Sequence, residues 1–392
     1  MALEYFTSTT SVVDNLLLIE IGGVLLLLGI IAFIATRLSL SAVPLFLLTG
    51  LAFGKGGIAP LQLSSDFLNI GAQIGAILLL LLMGLEYSAR EIGETFRSSK
   101  TIIVFDVLVN ALPGILIAWI VGWGVVGALL LGGITYVSSS GIASELIRDA
   151  GWGRSLVAKR TIVVLVSEDL ILAPYLPLLS STVLGVGLLG GFISVSVALL
   201  VTGFVLLISV TQDKFVAKIL KKFGGSSLLL TVFGSALVAA GAAGLAGFSG
   251  AIAAFLVGLL LTGEVAQAVR MRLNPLRDFF AAIFFIFFGL TINPSQIPSV
   301  WLFALVLTIL GVAGKMFVGW WWARDLIDPM SWRRVGAFLV PRGEFSVIIA
   351  GLSTPLAFSD EIKALTITYV IATTFIASLL LRNFRSGFEK SH

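Results

Sequence analysis

The stretch Val163-Val164-Leu165-Val166-Ser167-Glu168-Asp169-Leu170-Ile171-Leu172 sets two adjacent carboxylates in the middle of a long apolar run. If that run crosses a bilayer, the pair lies near its midplane. A charge at that depth costs roughly 2.5–3.5 kcal/mol per residue on insertion scales. A cost of that size calls for compensation, and the usual one is function, an ion or proton path. The alternative is that both acids face a buried cationic partner and only hold helices together.

Composition agrees with a membrane setting. The 392 residues are 58% hydrophobic and only 12% charged, with a mean hydropathy of +1.08, whereas a soluble domain carries about 25% charge. The net charge of +4 is no nucleic-acid signature, because the basic residues fall in short loops between apolar segments. There is no cysteine, which excludes disulfides and thiolate metal sites, and the single histidine is the last residue, His392. No cofactor is expected. Met1–Asn15 has no Lys or Arg but holds Glu4 and Asp14, so it lacks the positive start of a cleavable signal peptide. The first apolar run is therefore expected to be a retained helix.

Thirteen apolar segments are expected, roughly 16–36, 40–54, 67–85, 101–121, 124–145, 157–180, 184–210, 228–247, 250–262, 275–291, 299–322, 334–355 and 364–382. With the N-terminus outside, the cytoplasmic loops and tail hold 21 of the 25 Lys and Arg. Only Lys55 and Lys363 fall outside, while Lys315 and Arg342 lie inside segments. This asymmetry supports the topology, since a miscount by one segment would destroy it. The protein is expected in the cell inner (plasma) membrane, with its C-terminus in the cytoplasm. The Lys214–Lys222 cluster reads as a cytoplasmic anchor touching anionic lipid. Glu20 reads as interfacial.

Two segments carry signs of a break. The fifth contains Val137-Ser138-Ser139-Ser140-Gly141, a poor helix interior. The alternative there is a small-residue packing face. The twelfth contains Pro341-Arg342-Gly343-Glu344. These segments are seven apart. Segments three and ten, also seven apart, end alike in Met83-Gly84-Leu85 and Phe288-Gly289-Leu290. A seven-segment offset flips orientation, so the expected architecture is two inverted repeats, about 16–180 and 228–382, joined by a linker helix at 184–210. Secondary transporters commonly have it, with discontinuous helices crossing at a midplane site.

The candidate site is Glu168, Asp169, Lys315, Arg342 and Glu344, with Thr135, Ser138 and Ser139 as neutral oxygen donors. Adjacent helical residues point about 100° apart. One acid therefore faces a cavity while its neighbour faces a cation. A carboxylate in a cavity holds either a proton or a monovalent cation, and that competition couples opposing fluxes when the loaded site alternates sides. Asp169 is assigned this role and Glu168 the pairing with Lys315, although spacing alone leaves the reverse open. Arg342 and Glu344 read as charge compensation for the break, with a proton path as the alternative. Asp106 and Asn110 share a helix face, and Asp106 is a secondary candidate, read first as a pairing residue within the bundle.

These residues resemble the monovalent cation:proton antiporter-2 family over almost the whole length. The resemblance rests on Val137–Gly141, Glu168-Asp169, Phe284-Phe285-Ile286-Phe287-Phe288-Gly289-Leu290, Gly314-Lys315 and Pro341-Arg342-Gly343-Glu344-Phe345. It implies an all-α membrane protein of thirteen helices in inverted six-helix repeats, with a core domain, a dimerisation domain and an elevator-like movement. It also implies that Asp169 binds ion and proton, that Glu168 pairs with Lys315, and that the protein is a homodimer. Sodium/proton members usually carry Asp-Asp and Kef-type members Gln-Asp. Glu-Asp is more like Kht-type potassium/proton antiporters, which tilts the expectation to K⁺ over Na⁺. Kef-type proteins continue into a cytoplasmic regulatory domain, whereas this chain stops after its last helix. A separate regulatory subunit, a truncated chain or no such regulation all fit that. The competing functions are a cation channel, an organic-anion symporter on a related fold and an intramembrane aspartyl protease using Asp106 and Asp169. None of them explains an acid pair beside two broken helices as well.

Overall fold

The computed structural model describes residues 10–37, 41–54, 56–57, 65–86, 100–152, 155–185, 196, 200, 223–245, 250–261 and 263–384. Every regular element among them is helical. In chain order they are α1 (Thr10–Arg37), α2 (Ala42–Phe53), α3 (Ser65–Glu86), α4 (Lys100–Val121), α5 (Gly124–Tyr136), α6 (Ser140–Asp149), α7 (Leu156–Leu184), α8 (Gly225–Leu245), α9 (Gly250–Leu259), α10 (Gly263–Leu290), α11 (Ile297–Ala323), α12 (Ser331–Leu339), α13 (Glu344–Leu352) and α14 (Ser359–Phe384). Among the described residues seven stretches are long and apolar enough to cross a membrane, and two of them, Gly124–Ser144 and Ser331–Leu352, run through α5 into α6 and through α12 and α13. Twelve of the thirteen expected segments have counterparts here. The seventh, 184–210, lies almost wholly outside the described residues, as do the Lys214–Lys222 cluster and the side chain of Glu20.

The tenth segment needs correction. It begins at Gly263, not near residue 275, so Arg270, Arg272 and Arg277 belong to a continuous helix rather than a loop. Pro275 sits inside the helix. Val265, Ala266, Val269 and Leu273 recur at helical spacing and are buried, and that apolar face holds the turn in place despite the arginines.

The helices pack in two groups. In one, α3 packs against α9 and α10, α2 against α10 and α1, and α8 against α9. In the other, α4 packs against α5 and α11, α11 against α12 and α14, and α13 against α5 and α14. The first group is drawn together by glycines. A Cβ on Gly50 would lie 2.1 Å from the Ile286 carbonyl and 2.8 Å from Gly289 Cα. A Cβ on Gly258 would lie 2.3 Å from the Leu81 carbonyl and 3.0 Å from Gly84 Cα. The same contact thus occurs twice, once between segments two and ten and once between nine and three.

This has a direct consequence. Gly50→Ala and Gly258→Ala force backbones apart and are expected to destabilise by about 1–3 kcal/mol each. Gly22→Ala, with nothing within 4 Å of the added atom, is expected to be silent. Thermal unfolding of the detergent-solubilised protein checks the three together.

The outer faces are apolar. On α4, Leu108, Leu112, Leu116 and Trp119 form an exposed stripe at helical spacing, suited to lipid rather than water.

Candidate functional site

The site forms where the two interrupted spans meet. Tyr136 closes α5, and Val137 is extended (φ −77°, ψ 129°). Pro341, which has no N–H to continue α12, lies in the second interruption. The breaks are joined by the Ser139 amide, which donates to the Pro341 carbonyl at 2.8 Å. Gly343 allows the approach, because a Cβ there would come within 2.5 Å of Ser139 Oγ.

Four helix ends therefore converge. The C-terminal ends of α5 and α12 present partial negative charge, and the N-terminal ends of α6 and α13 partial positive charge. Arg342, fully buried, is placed at the negative ends. Its Nε and Nη2 donate to the Thr135 carbonyl at 3.1 and 3.0 Å, and Nη1 donates to the Leu339 and Val340 carbonyls at 3.0 and 2.8 Å. Glu344 is placed at the positive ends. It accepts from Ser139 Oγ at 2.7 Å and from the Gly141 amide at 3.4 Å.

The acid pair enters from α7. Glu168 accepts from the Ser138 amide, from Ser138 Oγ at 3.1 Å and from Lys315 Nζ at 2.9 Å. Lys315, fully buried on α11, also donates to Asp106 Oδ1 at 2.8 Å. Asn110 Nδ2 donates to the same oxygen at 2.9 Å. The Tyr136 ring lies beneath the ammonium, with Nζ 5.4 Å from its centroid. Asp169 is 1% exposed.

A cavity of about 480 Å³ approaches from one side, lined among others by Ser140, Ser144, Ile162, Leu165, Val166, Arg270, Asn274, Arg277 and Glu344. Leu165 and Val166 lie four and three residues before Asp169, one helical turn away. Glu344 thus lines the cavity, while Asp169 sits one turn beyond its wall. Asp169, the acid expected to face a cavity, is not among the residues that line this one.

The neutral oxygens also sit differently from expectation. Thr135 Oγ1 donates to Leu131 and Gly132 carbonyls of its own helix, and it is the Thr135 carbonyl that serves the site, by holding Arg342. Ser139 Oγ is committed to Glu344 and Ser138 Oγ to Glu168 and the Leu339 carbonyl. The thirteenth segment looked plain in sequence, yet α14 grips the second break. Thr373 Oγ1 accepts from the Arg342 amide at 3.3 Å, Thr374 Oγ1 donates to the Arg342 carbonyl at 3.0 Å, and Tyr369 lies under the guanidinium. Thr366, Thr373 and Thr374 share one face at helical spacing, and that was the available signal.

Residues 23–384 match the family described as the transmembrane sodium/hydrogen exchanger. The chain belongs to the sodium/hydrogen exchanger family. The exchanger is accordingly an integral membrane protein. It is 30% identical over 384 residues to the K(+)/H(+) antiporter subunit KhtU of Bacillus subtilis, covering 93% of both chains. It is 29% identical over 373 residues to the ammonium/H(+) antiporter subunit AmhT of Alkalihalophilus pseudofirmus, covering 93% of this chain and 92% of that one. Its fold is similar to the sodium proton antiporter MjNhaP1 of Methanocaldococcus jannaschii, with a TM-score of 0.66 and 18% identity, over 94% of this chain and 97% of the other.

Proposed function

We propose that the exchanger is a monovalent cation:proton antiporter that works by alternating access, with Asp169 binding either the proton or the cation. The observation that carries this reading is the placement of Asp169 beside a neutralised scaffold. Arg342, Glu344, Lys315 and Glu168 are all engaged by helix ends or by each other. Asp169, the second buried carboxylate on α7, is the group we assign to the transported charge. Proton and cation then exclude one another at a single group, and each passage of the loaded site carries one or the other. No redox or covalent step is needed, so the protein acts as a transporter rather than an enzyme.

K⁺ is the proposed cation, in keeping with the Glu168-Asp169 pair and with the potassium/proton relative. Both bacterial relatives are named as subunits, which supports a separate cytoplasmic regulatory partner. The repeated glycine contacts and the two seven-apart breaks support inverted repeats, with the α1–α3 and α8–α10 group as the dimerisation domain of a homodimer. The side chain of Arg160, near the start of α7, donates to the Trp322 carbonyl at the end of α11 at 3.1 Å and pairs with Asp325, joining two helix ends expected on the cytoplasmic side. At the other end Trp123 stacks on Phe358 at 5.1 Å, joining two loops expected outside. This agrees with an outer N-terminus and a cytoplasmic C-terminus.

The test is proton flux in proteoliposomes holding a fixed pH gradient, with K⁺, Na⁺, Li⁺ or choline added in turn. K⁺ is expected to dissipate the gradient and choline to leave it intact. A gradient that no cation dissipates would sink the antiporter reading.

A further inference from the structure

We propose that Asp106 is a second proton-binding residue of the exchange site, one whose ionisation strengthens cation binding at Asp169. This rests on the antiporter reading given above and adds to it a site on another helix.

The geometry distinguishes the two carboxylates that share Lys315. Glu168 uses both oxygens, one on the Ser138 amide and the other on Lys315 and Ser138 Oγ. Each of its oxygens thus already has a donor. Asp106, 1% exposed, places its two bonds on Oδ1 alone, from Lys315 at 2.8 Å and Asn110 at 2.9 Å. Its Oδ2 has no hydrogen-bond partner, and neither does Asn110 Oδ1. Both are buried acceptors lacking a donor, and a buried polar group without a partner costs about 1–3 kcal/mol. A proton on Asp106 Oδ2 supplies the donor that this end of the cluster lacks. The packing is built around this pair, since a Cβ on Gly314 would lie 2.7 Å from Asn110 Oδ1.

Charge counting points the same way. One ammonium cannot neutralise two carboxylates in a medium of low dielectric, so one of them is the natural proton holder. The charged groups acting on Asp106 are Lys315 from α11, Glu168 from α7 and Arg342 from the second break, and Tyr136 of α5 stands near Asp106, Glu168 and Asp169 alike. Arg342 is taken up by the α5 and α12 carbonyls, which leaves Lys315 as the cation to be shared. With Asp106 protonated, Asp106, Lys315 and Glu168 sum to zero, and Asp169 alone attracts the cation. With Asp106 ionised they sum to −1, and the attraction grows. By reciprocity, a cation on Asp169 promotes loss of the Asp106 proton. The proton leaves Oδ2, while Nζ keeps its bonds to Asp106 Oδ1 and Glu168 Oε1. Lys315 thus ties Asp106 to Glu168, the neighbour of Asp169 on α7.

The experiment reads the slope of log apparent K⁺ affinity against pH, for wild type and Asp106→Asn. It is measured both as K⁺-driven proton flux in proteoliposomes and as K⁺-induced thermal stabilisation of the detergent-purified protein. Asparagine imitates the protonated acid and leaves the Lys315–Glu168 pair in place. In wild type the slope is expected to exceed one on the acid side, because two protonations oppose the cation. In Asp106→Asn it is expected to fall to one, with affinity at alkaline pH weaker on the order of tenfold. A purely structural Asp106 would leave the slope unchanged. Equal slopes in the two proteins would overturn the proposal, and so would an Asp106→Asn protein that binds no K⁺ at any pH. Transport surviving in Asp169→Asn would instead overturn the assignment of Asp169 on which this rests, and a wild-type gradient that no cation dissipates would overturn the antiporter reading, so the failures are distinguishable.

Discussion

Asp169→Asn is expected to abolish cation-driven proton flux, lowering it roughly 100-fold or more. The argument is one of charge. Asparagine has nearly the same size, so the buried position refills without a cavity. What disappears is the negative charge for which proton and cation compete. Losing one charged partner of a buried ion costs about 3 kcal/mol, which is about two powers of ten. The variant should also lose its pH response at this step. In wild type, falling pH protonates Asp169 and displaces the cation, so apparent cation affinity falls with it. In the variant no such competition exists, and cations should no longer raise the melting temperature. Parallel proteoliposome and melting measurements check both halves. Undiminished flux would return Glu168 and Asp106 as candidates for the transporting acid.

Lys315→Gln is expected to be the most damaging single change to stability. Lys315 is fully buried and bridges Glu168 and Asp106. Its removal leaves two buried carboxylates without a cation, and breaking a buried pair from one side typically costs about 3–5 kcal/mol. The second substitution Glu168→Gln, added to Lys315→Gln, removes one stranded charge and should recover a large part of the loss. Glu168→Gln alone should cost less than Lys315→Gln, because Lys315 keeps Asp106. Thermal denaturation of the three proteins decides this. If the double variant is no more stable than Lys315→Gln, charge compensation is not what Lys315 contributes.

The sequence made the charged members of this site legible because charge is rare in apolar runs. Glu168, Asp169, Lys315, Arg342, Glu344 and Asp106 each stand out for that reason. The interruptions could be placed from Ser138–Gly141 and Pro341–Gly343, where local chemistry opposes a continuous helix. Less legible was the share of work done by uncharged groups. Thr373 and Thr374 look like ordinary small residues of a lipid-spanning helix, and only the fold brings them to the Arg342 backbone. Serine and threonine hydroxyls also have several equivalent options in a helix, including their own preceding carbonyls. Sequence could therefore nominate Thr135 and Ser139 but not say that their hydroxyls were already engaged. The early part of α10 was obscured for the opposite reason, since its arginines mimic a loop while its apolar face holds it in a helix.

The reach of Arg342 also bears on how the protein is made. Its guanidinium satisfies a carbonyl 207 residues earlier in the chain. At typical synthesis rates of about 5–20 residues per second, the Thr135 carbonyl is translated roughly 10–40 s before its partner exists. During that interval the first interrupted span has an open helix end in or near the bilayer, where such groups find no water. The nascent first half must shelter that end provisionally, and the last quarter of the chain then locks it. Biogenesis of this exchanger is therefore completed from its C-terminal side, and fragments ending before Arg342 should be the ones that membrane quality control removes.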